Sequence, residues 1–400
     1  MTSVNYESIE QALGQIRKFF PPTPLLFSAL FSEFCSKPVH IKWDNTLRTG
    51  SFKERGAICA LSNLSEEQKK LGIIAASAGN HAQALSYYAK NFNVECEIIM
   101  PKWASLVKVT KTKKYGANVV LYGNTFQEAY DYAIDKSKTT GKIFISAFDN
   151  DHIINGQGSL GIELLDQSSD FDSVIVPIGG GGLISGIATA IKNRRPHIKI
   201  IGVQSEWIVQ NRTHGHTTSL LAPSTIADGI AVKNIGVKNK VIIDQLVDEI
   251  VTVSEEQVAS AIVRLLEFER TIVEGAGAAS IAALMHNLIS TKIQKPIAVV
   301  CGSNIDLDVV YRLLMRDLSK QGRHIRIKTS VPDKPGSLQV LTKIFAEEGA
   351  NIIDVDHDRA FAAIPGDVEI RFSLEVRDKE HKSKILEKLT ELKISFSLSD

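Results

Sequence analysis

The chain has 400 residues, 44% of them hydrophobic and 23% charged, with a net charge of +1. That length gives two or three domains and ample core, and the balanced charge excludes any strong pull toward nucleic acid or an anionic membrane. No run of about eighteen apolar residues occurs, so no membrane-spanning helix is expected.

In chain order, residues 5–20 read as an amphipathic helix, stopped by Pro21, Pro22 and Pro24. A short strand at 39–43 precedes Thr49-Gly50-Ser51-Phe52-Lys53-Glu54-Arg55-Gly56-Ala57. There Gly50 and Ser51 give a turn and N-cap signal, with a helix from about Phe52 to Leu61. Strands at 72–76, 94–100 and 118–122 then alternate with helices at 79–91, 106–115 and 126–139. Further strands at 173–177, 198–204, 249–253 and 296–300 alternate with helices at 183–193, 255–269 and 276–289. Apolar strands between amphipathic helices mean βαβ units on parallel sheets. Their number predicts two α/β lobes, with ligands at the carboxyl ends of the strands. After Lys320-Gln321-Gly322-Arg323 the style changes. Strand 324–331, turn 332–336, helix 337–348, strands 351–359 and 367–376, helix 379–392 and strand 394–398 make a βαββαβ, ferredoxin-like module. The four cysteines, Cys35, Cys59, Cys96 and Cys301, are scattered without a CxxC, the pattern of reduced thiols in a cytoplasmic protein. The N-terminus shows no basic segment followed by an apolar one, so no secretory leader is read there.

Four stretches carry chemistry. Lys53 falls in the first turn of its helix, beside Arg55, where dipole, neighbouring charge and burial all favour the neutral, nucleophilic amine. An exposed first-turn lysine is the ordinary alternative. Ser77-Ala78-Gly79-Asn80-His81 follows a strand, and its small residues leave N–H groups free at a helix start, an anion site or a plain tight turn. His81 there is an acid–base candidate or a structural histidine. Gly179-Gly180-Gly181-Gly182-Leu183 is the strongest signal. Four glycines in a row, between strand and helix, suit a backbone that wraps a phosphate. Neither the Walker spacing nor GxGxxG fits it. Cys301-Gly302-Ser303-Asn304 ends another strand, with Cys301 a buried thiol or a ring-nitrogen contact. Glu274 is the one acid in a further small-residue helix start.

In order, TGSFKERGA, SAGNHAQA, PIGGGGLISG and CGSNID resemble the fold-type II pyridoxal-phosphate enzymes, most closely the threonine dehydratases (threonine ammonia-lyases). Phe148-Asp149, Gly156-Gln157-Gly158 and residues 228–233 also fit, and residues 333–359 look like an ACT domain. The resemblance implies a two-lobed, tryptophan synthase β-like catalytic domain over 1–322, its small lobe inserted at about 45–150. An ACT-like regulatory domain over 323–400 follows. It implies pyridoxal 5'-phosphate as cofactor, held by Phe52, Lys53, Asn80, Gly179, Gly180, Gly181, Gly182, Leu183 and Cys301. Lys53 carries the covalent link and the proton at the substrate α-carbon. Asn80 meets the ring hydroxyl, and Cys301 the pyridine nitrogen. The amino-acid substrate's carboxylate falls to Ser77, Ala78, Gly79, Asn80 and His81.

The chain departs from its look-alikes in places. Ala78 stands where related racemases carry a serine with a proton to give, which disfavours racemisation. Cys301 stands where close threonine dehydratases more often have serine and serine dehydratases have cysteine. Gln204 replaces a cation-binding glutamate, so no metal is expected; Ala84 replaces a glycine with no evident consequence. The resulting expectation is a cytoplasmic homo-oligomeric lyase, dimer or tetramer, that eliminates water and ammonia from L-threonine, with L-serine as a further substrate. An amino-acid effector at the ACT domain completes it. A serine or 3-hydroxyaspartate dehydratase is the nearest alternative, because one methyl in a pocket is worth only about 1–3 kcal/mol. A non-catalytic amino-acid sensor is the alternative from another class.

Overall fold

Two parallel sheets carry most of the chain in the structure, a computed structural model that describes residues 3–213, 225–359 and 364–398. The chain divides into two compact units, Met1–Ile305 and Asp306–Asp400. In the first, the strands are β1 (Leu25–Ser28), β2 (Val39–Trp43), β3 (Ile73–Ala76), β4 (Cys96–Met100), β5 (Asn118–Leu121), β6 (Ile143–Phe144), β7 (Ser173–Pro177), β8 (Lys199–Ser205), β9 (Glu249–Val253) and β10 (Pro296–Val300). They form a six-stranded sheet in the order β1-β2-β10-β7-β8-β9 and a four-stranded sheet in the order β5-β4-β3-β6. All pairs are parallel except β1 with β2. Strands β3, β4, β7 and β10 are buried along their whole length, as expected of parallel strands covered on both faces. Their crossovers deliver the loops after Trp43, Ala76, Pro177 and Val300 at the carboxyl ends of the strands, where ligands of such sheets bind.

The helix Asp151–Gln167 was not read from the sequence, yet it lies at the centre of this unit. Its Gly156, Gly158 and Gly161 lower helix propensity and mask the pattern. The structure shows why they are there. A Cβ on Gly156 would meet the Arg55 carbonyl oxygen at 2.5 Å, and one on Gly158 would meet the Gly186 carbonyl at 2.9 Å. The helix therefore packs backbone to backbone against the lysine helix Lys53–Ser62 and the helix Gly182–Arg194. Strand β1 and the helices Ala29–Cys35 and Glu66–Leu71 also lie outside the sequence reading, all too short to show a clear period.

The second unit holds the antiparallel sheet β12-β13-β11-β14, from β11 (His324–Pro332), β12 (Asn351–Asp358), β13 (Asp367–Glu375) and β14 (Phe396–Leu398). Its helices are Ser337–Glu347 and Lys379–Glu391, so the βαββαβ order is as expected. Ile325, Ile327, Phe345, Phe372, Leu374 and Ile385 make a core of its own. Helix Leu307–Lys320, another element the sequence reading passed over, belongs to this unit.

Candidate active site

The lysine turn is built onto the end of β10. Phe52 N–H donates to the Cys301 carbonyl at 3.0 Å and Ser303 N–H to the Gly50 carbonyl at 2.9 Å, with Ser51 bridged to Gly302. Ser51 is thus a strand-like bridge residue and not the N-cap expected of it; Phe52 is the N-cap, and no side chain caps the helix. Lys53 opens the helix, and its Nζ donates to the Ala147 carbonyl at 2.8 Å. Burial lowers its pKa to about 8, against opposition from Cys301 and Glu274. Arg55 does not supply the depression that the sequence suggested. Its guanidinium is fully buried and binds Asp44 at 2.6 and 2.8 Å and Glu163 at 2.8 and 2.9 Å, so its charge is neutralised on the far side of the turn.

The loop after β3 leads into the helix Asn80–Asn91. Ser77 Oγ accepts from Gly79 N–H and Ala82 N–H, both at 3.3 Å, which shapes the turn. The N–H groups of Ala78, Asn80 and His81 have no acceptor among the described residues, as the first turn of a helix requires. A Cβ on Gly79 would meet nothing within 4 Å, so space lies beside it. Asn80 Nδ2 donates to Glu274 Oε1 at 2.7 Å, and its Oδ1 accepts from Asn304 Nδ2 at 2.7 Å. The His81 ring is buried, with Nε2 3.1 Å from the Ile145 carbonyl, so Nε2 carries the proton. Burial, then Lys53, lowers its pKa to about 3. The imidazole is neutral at working pH and is not an acid, which leaves its backbone N–H as what it offers a carboxylate.

The glycine run leaves β7 and enters the helix Gly182–Arg194. Gly181 caps it at φ +94°, a left-handed conformation that favours glycine. A Cβ on Gly180 would sit 2.2 Å from the Phe148 ring. The backbone N–H groups of residues 179–183 donate to no acceptor among the described residues. Five consecutive free amides at a helix N-terminus make an anion cup. The cup is braced from behind. Gly236 N–H and Asn239 Nδ2 both donate to the Gly180 carbonyl, at 3.0 and 2.9 Å. Asp149 accepts from Val237 N–H and Lys238 N–H, each at 3.0 Å. Asn239 was invisible in the sequence because nothing local marks an asparagine in the first turn of the helix Val237–Leu246 as buried.

Cys301 is buried with its Sγ 3.8 Å from the Ala276 carbonyl. Burial pushes its pKa well above 9, so the thiol stays protonated and can donate. Glu274 is the residue the candidate site had left out. It is 3% exposed and precedes the helix Gly275–Met285. Its Oε2 accepts from Asn304 N–H at 3.1 Å. Burial, then Asp228, raises its pKa to about 7, while Asn80, Lys108 and Asn304 pull the other way. Its isolation among small residues was the available signal. Two lysines of the helix Leu106–Lys114 reach across from the small lobe: Lys108 Nζ to Asp228 at 2.5 Å and Lys111 Nζ to Asn304 Oδ1 at 2.6 Å. Gln204, at the end of β8, is buried.

Residues 16–302 match the family described as pyridoxal-phosphate dependent enzyme, and residues 325–393 match the ACT domain. The chain is 40% identical over 386 residues to an L-threonine ammonia-lyase of Thermotoga maritima, covering 96% of each. Among solved structures it is similar to the processed form of threonine deaminase isoform 2 from Solanum lycopersicum. There the TM-score is 0.70 at 33% identity, over 78% of this chain and 89% of the other. It is also similar to maize serine racemase, with a TM-score of 0.72 at 28% identity over 80% and 99%.

Proposed function

The chain belongs to the family of pyridoxal-phosphate dependent enzymes, and we infer that it is the lyase that converts L-threonine to 2-oxobutanoate and ammonia. The residues present fit the cofactor. The free amides of residues 179–183 match an anionic phosphate. The depressed Lys53 amine matches an aldehyde partner. The protonated Cys301 thiol matches a ring nitrogen that accepts. When bound, the pyridine ring supplies an electron sink that eases proton removal at the substrate's α-carbon.

The chain's own groups do the rest. Lys53 takes the proton from the α-carbon, and its amine is half neutral near pH 8 where an ordinary lysine is not. The N–H groups of Ala78, Asn80 and His81 orient the substrate carboxylate, and Asn80 holds the ring hydroxyl. Ala78 offers no proton on the opposite face, which leaves elimination favoured over racemisation. Phe52, whose ring centroid is 4.9 Å from Lys53 Nζ, shields the amine from water.

L-Serine conversion to pyruvate is part of the same reading. The ACT domain makes the enzyme responsive to an amino acid, and we place the functional boundary at residues 322 and 323, just before β11 begins at His324. Its occupant is an amino acid, the protein assembles as a dimer or tetramer, and it works in the cytoplasm. The observation that carries this reading is a lysine whose buried amine is held on the Ala147 carbonyl, next in the chain to Phe148, whose ring lies against Gly180 of the five-amide cup. A substrate panel of threonine, serine and 3-hydroxyaspartate with a 2-oxoacid readout tests it. The fastest turnover is expected with threonine; no ammonia from any of the three would refute enzymatic function. Deleting residues 324–400 is expected to remove any response to isoleucine or valine.

A further inference from the structure

Asn80, Glu274 and Asn304 form a closed polar ring. Asn80 Nδ2 donates to Glu274 Oε1, Asn304 N–H donates to Glu274 Oε2, and Asn304 Nδ2 donates back to Asn80 Oδ1. The ring is seated tightly: Glu274 N–H donates to the Gly302 carbonyl at 3.1 Å, and a Cβ on Gly302 would stand 2.0 Å from Glu274 Oε1. Asn304 Nδ2 also reaches the Thr49 carbonyl at 2.7 Å, which ties the ring to the lysine turn. The second N–H of Asn80 has no acceptor among the described residues. We propose that Glu274 is the positioning residue that fixes the Asn80 amide toward the cofactor's ring hydroxyl, and that its ionised form is the one that does so. This rests on the functional reading above.

The physical reason is donor and acceptor count. An ionised carboxylate only accepts, and here it meets two N–H donors, so one Asn80 N–H is committed and the other is left to point at the ring. A protonated carboxyl adds a fourth donor to a ring that already has three, and its hold on the Asn80 amide weakens. Burial keeps the choice within reach of working pH. The charged and titratable groups facing Glu274 are Asp228, Lys108 and Lys111 across the lobes, with Lys53 and Cys301 on the ligand side. Among the described residues, Lys108 is bonded to Asp228 and Lys111 to Asn304, and the carboxylate's own hydrogen bonds come from Asn80 and Asn304.

The test is the pH dependence of pyridoxal-phosphate affinity, read by fluorescence titration, together with the pH profile of kcat, in wild type, Glu274→Gln and Glu274→Asp. Wild-type affinity is expected to weaken as pH falls through about 7. The glutamine variant is expected to bind about tenfold more weakly at pH 8, as loss of one charge-assisted hydrogen bond implies, and below that to follow only the Lys53 titration shared with wild type, without the added transition near 7. The aspartate variant keeps the titration. In an Asn80→Ala background, Glu274→Gln is expected to add little, because both act through one amide. Unchanged affinity and an unchanged transition in Glu274→Gln, or additive losses with Asn80→Ala, would overturn the inference. Should the glutamine variant not fold, Asn304→Ser opens the ring from its other side. It is expected to weaken cofactor binding by a similar factor; wild-type affinity in that variant would overturn the inference equally. A wild-type chain that took up no pyridoxal phosphate would fail the functional reading itself, and so would be told apart from either result.

Discussion

Two buried acids flank the lysine turn, and they are handled in opposite ways. Glu163 sits on the Arg55 side. Burial raises its pKa, but Arg55 and Lys42 overcome that and hold it at about 2. Lys42 Nζ lies 2.7 Å from Glu163, and Thr23 Oγ1 donates to Asp44 at 2.7 Å, so this cluster is closed on every side. Glu274 sits on the Lys53 side with neutral partners, and its pKa rises to about 7. The lesson is that burial alone does not make a functional carboxylate. A buried acid matched by cations is locked as structure; a buried acid matched by amides stays titratable. Lys53 is mounted between the two, its helix anchored by one and its amine influenced by the other.

The sharpest way to break this contrast is to remove one member from each side. Lys53→Ala is expected to lower threonine turnover by at least about a thousandfold, the scale of a lost general base plus nucleophile. Its melting temperature should stay near wild type, because no buried pair is broken. Arg55→Met is expected to do the reverse, destabilising the fold by about 3–5 kcal/mol, since it leaves Asp44 buried without its cation and Glu163 with Lys42 alone. Denaturant unfolding of the apoprotein measures this. A stable Arg55→Met protein would show that the cluster is not what anchors the turn.

A smaller effect is expected at the cup. Gly181→Ala forces a side chain into a left-handed conformation and against Asn239 and Ile243, each 2.9 Å from the added carbon. A cost of about 1–3 kcal/mol is expected, together with weaker cofactor binding. Wild-type stability and affinity would argue that the loop does not need its shape.

The smallest effect separates the acids by pH. Glu163 has a depressed folded pKa, so its contribution to stability is present above its unfolded value, near 4.5, and fades as pH falls toward 2. Glu274 has a raised folded pKa, so it opposes folding increasingly as pH rises from about 4.5 to about 7. Glu163→Gln should therefore flatten the acid limb of the stability curve, and Glu274→Gln the decline toward neutrality. Urea unfolding of the apoprotein across pH 3 to 8 would resolve the two, and the same limb changing in both variants would contradict the contrast.

The same division governs what the sequence could reveal. Lys53, the glycine run, Asn80 and Cys301 stand at strand ends, where turn residues announce them, and the structure brings their loops to one end of their sheets. The alternation of strands and helices made the parallel sheets and the βαββαβ module readable. What stayed hidden depends on distant partners. Arg55 read as a cation beside Lys53, because Asp44 and Glu163 approach it only after folding. Helix Asp151–Gln167 was hidden by the glycines its crossings demand. Asn239 and Asn304 look like ordinary polar residues until the backbone carbonyls they serve are in place. Glu274 was visible as a lone acid, but its burial was not.

The central claim is that Lys53 is the cofactor's covalent anchor, and one measurement addresses it directly. Wild-type holoenzyme would be reduced with borohydride, digested, and mapped by mass spectrometry. The expected result is a single phosphopyridoxyl group on the peptide that contains Lys53. Labelling of a different lysine, or none in a protein that still deaminates threonine, would contradict it.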